Sequence, residues 1–180
     1  NLPESPSTTI PVYPGLNSMI APASIGPTKI RPLTSNEADV RSTINTLKTV
    51  GETFIPGGLI WGWNILDPNE PYVARTQNQL KAIGGRKVMV LMTDGINATS
   101  PRLFDGAMRP HGDTTIPPAW RDGSASNVLI SEICNNIKAD GIEIFTVLFD
   151  VPSGSSIETI LKNCATNPAT MAFRADDKEG

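Results

Sequence analysis

The strongest constraint in the sequence is the run Lys87-Val88-Met89-Val90-Leu91-Met92-Thr93, set between Gly84-Gly85-Arg86 and Asp94-Gly95. From Val88 to Met92 it is apolar without alternation, as expected of a central parallel strand covered on both faces. A second buried strand reads from Ile142 to Phe149. Between them, residues 127–139 form an amphipathic helix with Leu129, Ile130, Ile133, Cys134 and Ile137 on one face. Asp140-Gly141 stops it, since glycine suits the position just past a helix end. After the second strand, Ser155 or Ser156 caps a helix carrying Ile157, Ile160, Leu161 and Cys164 at i, i+3, i+4 and i+7. Met171-Ala172-Phe173 reads as a last short strand. This alternation predicts an α/β fold: a Rossmann-like, mainly parallel central sheet with helices on both faces.

The front half is less regular. Residues 1–28 carry Pro3, Pro6, Pro11, Pro14, Pro22 and Pro27 and read as an irregular arm, which leaves 29–180 as the folded domain. A short strand is expected at Lys29 to Leu33. A helix capped by Ser35 or Asn36 then runs to about Leu47, with Val40, Ile44 and Leu47 as its apolar stripe. A loop from Gly51 to Gly58 precedes a helix from Leu59 to about Ile65. With Leu59, Ile60, Trp61, Trp63 and Ile65, that helix is too apolar for the surface and should be largely buried. Tyr72 to Gly85 reads as a connecting loop. Residues 95–126 show no periodicity and hold Pro101, Pro110, Pro117 and Pro118. A loop that long inside a domain is usually functional or disordered.

Length and composition limit the partners. The 180 residues suit one domain, and a net charge of −3 argues against nucleic acid or an anionic membrane. No apolar run approaches the ~18–20 residues that cross a bilayer. The start lacks a signal-peptide pattern and an initiator Met, so a processed or excised fragment is expected. One histidine and two cysteines exclude most metal clusters built from those residues.

Ligands of open α/β sheets sit at the carboxyl ends of the strands, which points to Thr93, Asp94, Gly95 and Asp150. Asp94 there can bind a hard cation, act as a base or cap the following turn, and the sequence leaves all three open. Asp150, before Val151-Pro152, reads as a turn former. His111 is the only imidazole and reads as an exposed loop residue with no Gly-x-Ser-x-Gly elbow nearby. A Ser/His/Asp site would need partners brought together by the fold. Gly57-Gly58-x-x-x-Gly62 matches neither phosphate-loop spacing. Trp61 and Trp63 read as core rather than as a sugar platform. Asn97-Ala98-Thr99 fits a glycosylation acceptor.

Two segments together narrow the reading. The stretch Gly51-Glu52-Thr53-Phe54-Ile55-Pro56-Gly57-Gly58-Leu59-Ile60-Trp61-Gly62-Trp63 resembles the Thr-bearing loop and helix of von Willebrand factor A (vWA) domains. Val88 to Gly95 resembles that fold's central strand ending in Thr-Asp-Gly. The Trp-Gly-Trp run, with Ile133-Cys134-Asn135-Asn136-Ile137-Lys138 and Leu161-Lys162-Asn163-Cys164-Ala165-Thr166, is similar to the TadG-type proteins of tight-adherence (Flp) pilus loci. The resemblance spans about Ile30 to Phe173. It implies a protein-binding or adhesion module of pilus assembly, in the periplasm or at the cell surface, and not an enzyme. Its partners would be pilus-assembly or surface proteins, and any membrane anchor would belong to a longer form, upstream of Asn1.

The family's metal-ion-dependent adhesion site holds Mg²⁺ with an Asp-x-Ser-x-Ser loop, a Thr and an Asp. The Thr matches Thr53 and the Asp matches Asp94, with Gly95, His111 and Asp113 on the adjoining binding loop. The Asp-x-Ser-x-Ser loop and the strand before it are missing. Asp39-Val40-Arg41-Ser42-Thr43 lies inside a helix in the wrong order, so the implied site is partial, either completed upstream or lost. Cys134 and Cys164 read either as buried thiols or as a disulfide between two helices. The exported family implies the bond, which would contribute about 3–4 kcal/mol. Two alternatives stand beside the module: a hydrolase-like or metal-dependent enzyme using Asp94, Asp150 and His111, and a structural domain without a ligand.

Overall fold

A computed structural model describes residues 30–47, 53–69, 72–101, 108–114, 116–118, 121 and 123–175, and the proline-rich arm of 1–28 lies outside them. In chain order the elements are α1 (Glu37–Asn45), α2 (Ile55–Leu66), α3 (Gln77–Lys81), β1 (Val88–Thr93), β2 (Thr99–Pro101), β3 (Met108–Pro110), α4 (Ser124–Ala139), β4 (Glu143–Phe149), α5 (Ser156–Cys164), α6 (Pro168–Met171) and β5 (Ala172–Ala175). The main sheet has the order β1-β4-β5 and is parallel throughout. Parallel neighbours need crossovers, and α4 and α5 supply them. The expected α/β, Rossmann-like class is the one observed.

Register explains the core. Met89, Leu91 and Thr93 pair with Ile144, Thr146 and Leu148, which puts these side chains on one face of the sheet. Helices α2, α4 and α5 pack side by side over that face. They bring Leu59, Ile130, Ile133, Ile137, Ile157 and Leu161 into one cluster with Met89, Ile144 and Leu148. Each fully buried Leu or Ile contributes about 1.5–3 kcal/mol against exposure. Gly62 lets α2 sit close to the sheet, since a Cβ there would meet the Met89 side chain at 3.1 Å.

The other face corrects one expectation. β1 is an edge strand among the described residues, and β4 is the central one. Val90 is 64% and Met92 66% exposed, and Phe173 is exposed where it stacks on Phe145 with ring centroids 6.4 Å apart. The long helices cover one face only among the described residues. Continuous apolarity equips Val88–Met92 for two covered faces, but a second layer is a tertiary matter.

Several local expectations change as well. Ile30 to Leu33 is not a strand, since Pro32 removes a donor and no neighbour pairs with it. Helix α1 forms with Asn36 as its cap, its Oδ1 accepting from the amides of Ala38 and Asp39. Yet its stripe of Val40, Ile44 and Leu47 is exposed. Helix α2 begins at Ile55 rather than Leu59, with Pro56 in its first turn, where a missing N–H costs nothing. It is only partly buried: Ile60 is exposed, and Trp61 and Trp63 are half-buried. Trp63 Nε1 donates to Asp140 Oδ2 at 2.8 Å, so this ring closes the edge of the core rather than filling its centre. The expected loop 72–85 contains α3, started by a capping box in which Thr76 and Gln79 bond each other's backbone. The long loop after Asp94 contains the antiparallel hairpin β2–β3, and α4 begins at Ser124 rather than Asn127.

Two polar devices tie the layers together. Lys87, buried at the start of β1, donates from Nζ to the carbonyl of Leu66. Leu66 ends α2, where the helix dipole favours a cation. Glu158, in the first turn of α5, accepts from Lys162 Nζ at 2.8 Å, from Arg174 Nη1 at 3.1 Å and from the Gly154 amide. Arg174 also donates to the Val151 carbonyl at 2.7 Å, so one carboxylate joins α5, β5 and the turn before α5.

Cys134 and Cys164 form a disulfide between α4 and α5, with Cα atoms 5.2 Å apart and 30 residues between them in sequence. Reducing it should lower stability by about 3–4 kcal/mol, which is roughly 10 °C in melting temperature for a domain of this size. Calorimetry with and without a phosphine reductant checks this, and an unchanged melting point refutes it. Glu158 generates a second expectation. The Lys162 hydrogen bond, then the Gly154 amide and the two cations, hold its carboxyl below the ordinary 4.5 although burial pulls the other way. A depressed folded pKa means that the network's contribution is present above the ordinary carboxyl range and is lost as pH falls through the folded value. Glu158→Gln should therefore be less stable than wild type at neutral pH, and the gap should close as pH falls below the ordinary carboxyl range. Urea titrations across that range read the gap, and one that stays constant contradicts the assignment.

Candidate functional site

At the carboxyl end of β1 the chain turns sharply. The Thr93 hydroxyl donates to the Gly95 carbonyl at 3.3 Å and lies 3.4 Å from the Gly95 amide, which closes the turn locally. Asp94 at its tip is exposed, and its carboxylate has no hydrogen bond or ion pair among the described residues. Gly95 faces Thr53: a Cβ at Gly95 would lie 3.8 Å from Thr53 Oγ1. The Thr53 carbonyl accepts from the amides of Ala98 at 2.9 Å and Thr99 at 3.3 Å. Backbone bonds thus stitch the loop before α2 to the loop after β1 and bring Thr53 beside the Asp94-Gly95 turn.

Asn97 explains how the two loops hold together. It is buried, its Oδ1 accepts from the Ile55 amide at 2.9 Å, and its Nδ2 donates to Asn127 Oδ1 at 3.2 Å. One side chain satisfies an orphan donor at the start of α2 and also reaches α4. An amide engaged in this way is not free to carry a glycan, so the acceptor reading of Asn97-Ala98-Thr99 does not hold.

His111 is also not the exposed loop residue expected. It is half-buried, with Nε2 3.1 Å from Ser100 Oγ, and Ser100 Oγ lies 3.2 Å from Ser126 Oγ. Its amide donates to the Ala98 carbonyl at 2.9 Å. Gly123 allows the ring its place: its φ is +80°, and a Cβ there would come within 2.9 Å of His111 Cε1. The Ser100–His111 distance is that of a nucleophile and its base, but Ser100 and Ser126 have no exposed surface. The cluster cross-links the hairpin to α4 and presents no hydroxyl to a substrate.

Asp113 sits in a turn pinned by Arg121, whose Nε donates to the Ile116 carbonyl and Nη2 to the Thr114 carbonyl, each at 2.8 Å. The Asp113 carbonyl accepts from the Ile116 amide at 3.1 Å. The structure thus gathers Thr53, Asp94 and Gly95 at one point of the sheet edge, while His111 and Asp113 belong to the folded loop beside them. Asp150 has φ +53°, and its amide donates to the Ala175 carbonyl at 3.0 Å, which is a turn role. Asn97, Ser100, Ser126 and Arg121 were not singled out as site formers by sequence reasoning. Only the Asn-x-Thr triplet drew attention to any of them, and for another reason.

The donor set can be tested against Mg²⁺, which takes six oxygens in near-octahedral order. Thr53 offers a hydroxyl and Asp94 a carboxylate, while the Thr93 hydroxyl is committed to Gly95. Among the described residues, no group of three or more His, Cys, Asp or Glu is placed to hold a metal ion. These residues do not fit a complete divalent-cation site. Among them, also, no helix is long and apolar enough to cross a membrane.

No family model matches the sequence. No curated protein matches it either. Among solved structures the chain is similar to SpaC, a pilus adhesin of Lactobacillus rhamnosus GG, with a TM-score of 0.49 and 16% sequence identity. The match covers 79% of this chain and 19% of that one.

A donor set this small sets a limit on affinity. Calorimetric titration with Mg²⁺ or Mn²⁺ should show no binding tighter than about 1 mM. A tighter isotherm that vanishes in Asp94→Ala would show that oxygens outside the described residues complete the site.

Proposed function

We propose that the chain is a vWA-like, TadG-type module of pilus assembly or surface adherence, which binds a protein partner at the carboxyl end of β1. The observation that carries this reading is the exposed Asp94, unpartnered among the described residues and held beside Thr53 on a stitched pair of loops. A carboxylate standing free on a braced turn is arranged to meet a donor from outside, and bracing reduces the ordering cost of binding. The hairpin and the Arg121-pinned turn widen that surface, and the buried Ser100–His111–Ser126 cluster stiffens it. Thr53 and Asp94 act as polar contacts of a degenerate adhesion site and not as a complete metal centre. The disulfide supports an oxidising compartment, the periplasm or the cell surface, where such bonds persist.

The module is read as a non-enzyme. One observation favours the other class, the hydrogen-bonded Ser100–His111 pair. Its burial counts against it, and hydrolysis of a generic ester that disappears in Ser100→Ala would establish the enzyme instead.

The binding reading is tested by site-specific photo-crosslinking in the cells that make the protein. A benzophenone side chain at exposed Ile96, beside the turn, should capture a partner, and one at Glu132 on the outer side of α4 should not. The adduct should disappear in Asp94→Ala, and the captured protein should be an exported pilus or surface component. Adducts that survive Asp94→Ala, or a cytosolic partner, refute the proposal.

A further inference from the structure

A different cavity lies at the opposite end of β1, about 500 Å³ in volume, within the range of small-molecule sites. Leu33, Leu66 and Leu80 give it apolar walls, and Arg75, Arg86 and Lys87 also line it. No acidic residue is among its described lining, although the whole chain carries a net charge of −3. Arg86 is already paired with Glu143 at 3.1 Å. Arg75 forms no ion pair among the described residues, and neither does Lys87.

Lys87 makes the cavity more than a crevice. It is 6% exposed, and its ammonium, with three protons to donate, hydrogen-bonds among the described residues to the Leu66 carbonyl alone. A helix C-terminus offers about half a negative charge, and although Asp67 and Asp140 line a neighbouring pocket that Lys87 also borders, neither forms an ion pair with it. The wall beside it is also held in an unfavourable conformation. Val73, a β-branched residue, has φ +49°, kept there by the bonds from its own amide to the Asn69 carbonyl at 3.1 Å and from the Ala74 amide to the Asp67 carbonyl at 2.9 Å.

We propose that this cavity binds an alkyl carboxylate, its head group between Arg75 and Lys87 and its chain along the leucine walls. A guanidinium fork and an ammonium suit a two-oxygen head, and the apolar walls require a tail. The site is separate from the Asp94 surface and does not depend on the function proposed for it.

The test titrates the 180-residue chain with decanoate, following heat and amide NMR shifts. Acetate supplies the head without the tail, and decyltrimethylammonium the tail with the opposite charge. Decanoate should bind one-to-one and at least about tenfold tighter than either, with shifts grouped at residues 72–75 and 86–88. Arg75→Gln, at an exposed position where folding is not at risk, should weaken it about tenfold or more, and Lys87→Met at least as much. Equal binding of both decyl compounds, or full affinity in Arg75→Gln, overturns the proposal. So does a hydrophobic peptide with a free carboxy terminus that binds where decanoate does not.

Discussion

The structure depends on β4 being buried between two parallel neighbours while one of its faces carries the helical layer. Ile144, Thr146 and Leu148 project to that face, and α2, α4 and α5 pack over it as one layer. Parallel strands cannot be joined by tight turns, so each pairing brings a crossover helix with it. The disulfide then joins the two crossovers directly, bonding the helix between β1 and β4 to the helix between β4 and β5. Remove that layer and neither the sheet nor its loops has anything to rest on.

The same geometry fixes where chemistry can occur. Loops leaving the carboxyl ends of parallel strands gather along one edge, and here buried polar contacts brace them beside the buried Ile116 and Val151. Asn97 reaches α2 and α4 together, and Ser100 joins His111 to Ser126. Such contacts are strong when satisfied and costly when not, so they define one arrangement of the loops. Asp94 is the contrast: among the described residues it stands on this braced edge without a partner of its own. At the other end of β1 the charge balance is reversed, with a buried ammonium beside a cavity lined by further cations.

Much of the α/β alternation was legible. The helix with Ile130, Ile133 and Ile137, the Asn36 cap and the helix with Ile157 and Leu161 all obey spacing and capping rules that act within one or two turns. Thr53 lies beside the Asp94-Gly95 turn, a long-range contact that no local pattern encodes. Other features were not legible. The hairpin inside 95–126 gave no periodic signal because its strands are three residues each, too short for alternation to register. His111 looked like a lone loop histidine because its partner Ser100 comes from a neighbouring strand and is itself joined to a later helix.

By itself, then, the sequence determined the alternation of strands and helices in the back half and hence a parallel α/β sheet, because hydrophobic period and capping chemistry are local and each of those elements carries its own signal. Only the tertiary structure decided that β1 stands at an edge of the described sheet with Val90 and Met92 exposed, and that Asn97 is a brace rather than a glycan acceptor. It alone placed Lys87 buried over the end of α2. Those outcomes depend on which surfaces meet across long stretches of chain, and no window of residues contains that information.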